Sequence, residues 1–241
     1  MLPLTTGRRA ALAVGVPLCL LLTVNTGFNL VADVGRGEVP VSYSIPVSAG
    51  LVSVTVAGGD LALRQATGGQ AGLAGTGYYS LVRPHITESS AAGVAAFRYR
   101  CAIPFGNCGL NATLSVPSGT AVSVSTGGGD VSADGAAGDL SLSTGGGNIR
   151  ATAVTAAQVT VRTGGGDVEI VFTRVPRDVR VSTSGGNVTV VVPPGGTQYH
   201  VVASADGGNV TDTVRQNTAS RNLITVATGG GDITIRPGTA P

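Results

Sequence analysis

Along most of the chain, apolar and polar residues alternate in short runs, and glycine ends each run. Val122 and Val124 alternate with Ser123 and Ser125; then come Gly127, Gly128, Gly129 and Asp130, and alternation resumes at Val131. The same order recurs with Leu140 and Leu142 before Gly145, Gly146, Gly147 and Asn148, and with Ile149 after them. It recurs again with Val159 and Val161 before Gly164, Gly165, Gly166 and Asp167. Val179 and Val181 precede Asn187, Val201 and Ala203 precede Asn209, and Ile224 and Val226 precede Gly229, Gly230, Gly231 and Asp232. Period-two alternation predicts strands with one buried face. Each glycine run therefore predicts a tight corner between two strands.

The Asp or Asn after the glycines recurs every 18–23 residues. Two short strands and two turns fill that length, which is one coil of a β-solenoid. Stacked coils pair like strand with like at about 4.8 Å, so the apolar positions become continuous internal ladders. The expected fold is all-β, a solenoid with two strands per coil, each coil stacked on the one before it. Glycine is expected at the corners to supply positive φ where a Cβ would clash. The Asx residue tolerates the tight turn and bonds nearby backbone N–H groups. A meander of ordinary hairpins is the structural rival.

An earlier copy, with Val52, Val54, Leu61 and Leu63 around Gly58, Gly59 and Asp60, predicts a first coil over 52–63. The segment 33–51 reads as a linker with a first strand. Residues 64–113 are too long for one coil. They carry Tyr78, Tyr79, Phe97, Tyr99 and Phe105, and read as an insert that caps or flanks the solenoid. Repeats then occupy 114–236, and 237–241 is a tail.

Charge refines the picture at the N-terminus. All 15 basic residues are Arg, against 13 acids, for a net charge of +2. Arg8 and Arg9 precede every acid, so the body from Asp33 onward is neutral and lacks the footprint of a nucleic-acid binder. After this basic tail, 1–9, residues 10–32 contain no charge and approach the ~20 residues that cross a bilayer. The segment reads as a transmembrane helix acting as a signal anchor, with a cleaved signal peptide as the second reading. Either places the rest of the chain outside the cytoplasm, and the anchor makes it a single-pass cell-membrane protein with its C-terminal domain extracellular.

Cys101 and Cys108 flank six residues with a Pro and a Gly, a spacing compatible with a disulfide in an oxidising compartment. Two free thiols or a zinc pair are the alternatives. Aromatics are 4% of the chain and Gly numbers 38. Gly lacks the three-residue period of collagen, and so small a share of aromatics suits a thin core of Val, Leu and Ile.

The T-G-G-G-[DN]-[VI] turns, the run VPSGTAVSVST and the closing ITVATGGGDITI resemble the bacterial putative-adhesin domain family over about Val39–Arg236. The resemblance implies a Gly-rich β-solenoid in envelope and membrane-anchored proteins. It brings no catalytic residues with it.

Candidate chemistry is sparse. Calcium-binding β-rolls place Asp near glycine, but at a shorter period. Here Asn148, Asn187 and Asn209 interrupt Asp130, Asp167 and Asp232, which leaves few carboxylates for a cation that wants six to eight oxygens. Glu169 and Arg150 read as a solvated surface pair. His85 and His200 have no nucleophile beside them in sequence, and no helix follows the glycines as phosphate or dinucleotide motifs require. The expectation is a non-catalytic, cofactor-free scaffold that meets the membrane through its N-terminal helix and binds an envelope glycan or protein. A carbohydrate-active solenoid and a self-assembling envelope coat protein are the alternatives.

Overall fold

The computed structural model describes residues 36–45, 50–66, 71–103 and 107–239. The N-terminal segment expected to cross the membrane lies outside the described residues, and among those residues no helix is long and apolar enough to cross one. The regular elements are β-strands. In chain order they begin with β1 (Arg36–Ile45), β2 (Leu51–Val56), β3 (Leu61–Gln65), β4 (Ala71–Ser80), β5 (His85–Ala91), β6 (Val94–Arg100) and β7 (Gly109–Val116). The repeats supply β8 (Ala121–Thr126), β9 (Val131–Asp134), β10 (Leu140–Thr144), β11 (Ile149–Val154), β12 (Gln158–Thr163), β13 (Val168–Phe172), β14 (Asp178–Thr183) and β15 (Val188–Val192). Last come β16 (Gln198–Ala205), β17 (Val210–Asp212), β18 (Arg215–Gln216), β19 (Leu223–Thr228) and β20 (Ile233–Pro237).

These strands form two ten-stranded sheets, ordered β1-β4-β7-β3-β9-β11-β13-β15-β20-β17 and β18-β16-β19-β14-β12-β10-β8-β2-β6-β5. Successive strands of the repeats alternate between the sheets, so each coil contributes one strand to each. In the second sheet, parallel pairing sets Val122 on Leu140, Leu140 on Val159, Val159 on Val179 and Val179 on Ile224. That column is buried throughout and joins its neighbours in one continuous core. Each such side chain contributes about 1.5–3 kcal/mol by leaving water. The serines and threonines between them face outward, as the period-two pattern requires.

Stacking departs from chain order at both ends. The last coil in sequence, β19 and β20, lies between β14–β15 and β16–β17. The first coil, β2 and β3, lies between β8–β9 and β6–β7. Side-chain content accounts for the departure at the C-terminal end. The inner columns of β19–β20 are Ile224, Val226, Ile233 and Ile235, all buried. At the same positions β16–β17 offer Val201, Ala203, Val210 and Asp212, a poorer fit to the interior. The more apolar coil goes inside and the less apolar one ends the stack.

The segment 64–113 is also more regular than a capping insert. Its strands β6 and β7 make a true coil, with Ala95, Phe97, Tyr99, Ala112 and Leu114 in the buried columns. The buried rings of Phe97 and Tyr99 sit near the end of the stack, on the last strand but one of the second sheet. Beyond this coil β4 and then β1 extend the first sheet, both antiparallel, and antiparallel β5 ends the second.

The corner glycines are needed mainly for close approach. Positive φ occurs at Gly59 and Gly129, and the corners beyond Gly129 do not repeat it. Instead, a Cβ on Gly147 would lie 1.9 Å from the carbonyl oxygen of Gly129, and one on Gly166 would lie 2.0 Å from that of Gly147. A Cβ on Gly128, Gly146 or Gly165 would meet nothing within 4 Å. The first position is crowded too, since a Cβ on Gly127, Gly145 or Gly164 would lie 2.1 Å from a carbonyl oxygen of the neighbouring coil. Yet Ala57, Ser184 and Asp206 stand there in other coils, so that position tolerates a side chain where the local backbone adjusts. Gly166→Ala is therefore expected to destabilise the fold by about 1–3 kcal/mol through overpacking. Gly165→Ala is expected to stay within about 1 kcal/mol of the parent. Paired urea melts of the two variants check this, and equal losses would contradict it.

Candidate functional site

Two hydrogen-bond ladders run along the glycine corner. In the first, each Asx side chain accepts from the main-chain N–H of the Asx on the next coil. The rungs run from Asn111 through Asp60, Asp130, Asn148, Asp167, Asn187 and Asp232 to Asn209, with N···O distances of 2.7–2.9 Å. In the second, the buried hydroxyls of Thr144, Thr163, Thr183 and Thr228 donate at 2.8–3.1 Å to glycine carbonyls one coil away, and that of Thr126 lies 2.7 Å from the Gly128 carbonyl of its own corner and 3.1 Å from the Gly59 carbonyl of the next coil. Four of them also accept a glycine N–H of their own corner, at 3.2 Å in each case.

The Asx residues singled out in the sequence thus stand on one ridge. Asn111 and the threonines join them as unforeseen members. The signal for Asn111 was present: Gly109, Asn111 and Ala112 repeat the glycine, Asx and apolar order, without the glycine run. In place of that run, the corner of this coil carries the Cys101–Cys108 disulfide, with an S–S distance of 2.07 Å.

Near the Asn111 end of the ridge, the outer surface of the first sheet sinks into a shallow groove of about 800 Å³. Ala62, Ala74, Gly75, Thr76, Thr113 and Ser132 line it with small side chains, and Asp60, Asp130, Asn111, Asn148 and Arg150 add polar groups. Arg150 also pairs with Glu169 on the adjacent coil. Both are well exposed, so the pair contributes no more than about 1 kcal/mol. A second cavity of about 470 Å³ lies among Arg36, Glu38, Tyr78, Tyr79 and Asn107. His85 and His200 stand near opposite ends of the second sheet, on β5 and β16, and cannot act on one substrate atom. Among the described residues, no group of three or more His, Cys, Asp or Glu gathers as metal ligands would.

A family model, Toastrack DUF4097, matches residues 21–236. The chain belongs to the Toastrack DUF4097 family. The Toastrack assignment agrees with the putative-adhesin resemblance carried by the glycine turns. Among solved structures, a putative cell adhesion protein from Clostridium sporogenes ATCC 15579 is similar at 15% identity and a TM-score of 0.51, over 84% of this chain and 100% of that one. A putative adhesin from Bacteroides fragilis NCTC 9343 aligns at 16% identity and a TM-score of 0.48, over 84% of this chain and 97% of that one. No curated protein matches the chain. At these identities the likeness is one of fold.

Within the Toastrack fold the corner ridge is a structural device whose loss is measurable. Asp167→Asn keeps an Oδ1 acceptor and is expected to change stability by less than about 0.5 kcal/mol. Asp167→Ala leaves the Asn187 N–H without its partner and is expected to cost about 1 kcal/mol. Thermal melts of the pair test this, and an Asp167→Asn loss as large as that of Asp167→Ala would refute the acceptor role.

Tyr99, fully buried, donates its hydroxyl to the Tyr78 carbonyl at 3.2 Å. Burial above all, then the neighbouring Tyr78 and Tyr79, pushes its pKa from 10.0 up to about 12. The unfolded chain thus gives up this proton before the folded one does. The resulting stabilisation is complete below pH 10 and is lost as pH rises through about 12. Tyr99→Phe is expected to flatten that part of the alkaline stability profile, followed by chemical melts at stepped pH.

Proposed function

We propose that the chain is a membrane-tethered, extracytoplasmic adhesin-like scaffold that binds a hydroxyl-rich envelope polymer without turning it over. The observation that carries this reading is the groove over the first sheet. Its small side chains leave room for an extended ligand along the coils, and its carboxylates, amides and Arg150 match hydroxyls and amides as hydrogen-bond partners. An open groove of this kind, floored by small apolar side chains and edged by polar ones, suits recognition of a polymer better than enclosure of a small substrate.

Three further features support the reading. The uncharged span 10–32 behind Arg8 and Arg9 supports a tether. The Cys101–Cys108 disulfide supports an oxidising compartment. The name of the Clostridium sporogenes neighbour, a putative cell adhesion protein, supports a role at the surface. Catalysis has little to build on. Asp60 and Asp130 each have an oxygen engaged in the ladder, and neither histidine lines the groove.

The test is binding to purified envelope polysaccharide and to cell-wall fragments, with product analysis in parallel. Saturable binding without product release is expected. Ser132→Trp, which fills the groove from an exposed outward position, is expected to weaken binding at least about tenfold without lowering stability. Release of shortened products would favour the carbohydrate-active alternative. Binding unaffected by Ser132→Trp would move the site elsewhere. Protease added to intact cells should digest the domain, and protection until lysis would refute the topology.

A further inference from the structure

The two ends of the stack are finished differently. At the disulfide end, antiparallel β1 and β5 form the outer strands. Arg36, Glu38 and Pro40 lie along β1, and His85 and Glu88 along β5. Charges and proline on edge strands discourage pairing with another chain. At the other end β16 is the last long strand of the second sheet. Two-residue β18 pairs with Gln198 and Tyr199 and goes no further. The stretch Val201–Ala205 beyond it holds neither charge nor proline.

That stretch has free main-chain groups on a known side. The Tyr199 carbonyl accepts from Asn217 on the outer side at 2.8 Å, while the N–H groups of His200 and Asp206 donate inward to Asn222 and Thr228 at 2.8 and 3.0 Å. Main-chain groups alternate in direction along a strand. The N–H and C=O of Val201, Ala203 and Ala205 therefore point outward, away from β19. The same residues continue the apolar columns of Ile224, Val226 and Thr228, yet they are only partly buried, whereas Ile224 and Val226 are 0% and 1% exposed. Val202, on the outer face, is 49% exposed.

We propose that this edge is an interface for a second copy of the chain, forming a closed two-fold dimer by antiparallel pairing of β16 with itself about Ala203. Three features select this occupant. Pairing about Ala203 sets Val201 against the second copy's Ala205, so outward-pointing groups meet as hydrogen-bonded pairs. It also keeps column residues opposite column residues, so the core runs on across the axis. Finally, it brings His200 beside the second copy's Asp206, and the reverse, so an imidazole N–H donor faces a carboxylate acceptor across the axis. The protected far end then stops further addition, so assembly ends at two copies instead of growing into a filament.

The interface is independent of the polymer-binding groove, which lies towards the other end of the stack. Sedimentation velocity of the full chain, in neutral detergent where needed, tests it at tens of micromolar. The parent is expected at twice the monomer mass. Ala203→Pro removes an N–H that serves no intrachain strand pair and is expected to give a monomer with a near-parental melt. Mixing a V202C chain with an S204C chain is expected to give a covalent dimer on oxidation, since these positions face each other across the axis at about 4.5 Å between Cα atoms. V202C alone is expected to give none. A monomeric parent, a mass that climbs without limit with concentration, a dimer that survives Ala203→Pro, or cross-linking by V202C alone would each overturn the proposal.

Discussion

Contact between successive glycine corners sets the geometry of the whole molecule. Parallel strands in register need coils about 4.8 Å apart, and at the corner the main chain itself must close to that distance. The third glycine of each run meets the carbonyl of the coil beneath it with no room for a Cβ. Once the corners stack, the apolar residues on either side are fixed in register, because a one-residue slip would turn the column outward. The Thr and Asx ladders follow from the same contact. They occupy the donors and acceptors that tight corners leave over: the Asx rungs at the exposed rim, the threonine hydroxyls in the interior, where an unpaired group would cost about 1–3 kcal/mol. A stack of thin coils with few large side chains thereby gains polar order where it lacks apolar bulk.

Given that frame, the order of coils is decided by their side chains and not by their place in the chain. The best apolar coils at each end of the repeat region, β2–β3 and β19–β20, are internal. Coils with aromatic or small residues lie outside them.

Much of this was legible in the sequence, and the limits have physical causes. The alternation at Val122, Leu140 and Val159, with glycine between, marks strand, corner and inner face at once, because all three depend on local periodicity. The site of the groove was not legible. It depends on Ala62, Ala74 and Ser132 being small, which matters only once β4 and β9 flank β7 and β3 in one sheet. The coil β6–β7 was hidden because a disulfide loop replaces its glycine run, so the strongest local marker is missing while the register survives at Asn111. Stacking order was equally out of reach, since it follows from a comparison of column quality between distant coils. The third glycine combines both expected constraints at Gly59 and Gly129, which have positive φ, whereas at Gly147 and Gly166 close approach to another coil remains without it. That approach is a tertiary constraint, and positive φ is the local one that a single sequence suggests.

Charge along the Asx ridge links the fold to the groove. Two carboxylates one coil apart repel by about 1 kcal/mol even in water, so a row of them would be unfavourable. In chain order Asn187 and Asn209 are consecutive and leave Asp232 at the end. In space Asp232 lies between them, and acid and amide alternate strictly from Asp130 to Asn209. Acids two coils apart are near the screening length of physiological salt, about 8 Å. The alternation fails at one contact, where Asp60 stacks directly on Asp130. That contact lies in the groove, and Arg150 lines the same groove. Along most of the ridge, then, charge is arranged to be uneventful. The local excess of negative charge, with a cation in reach, falls where the surface also has room for a ligand.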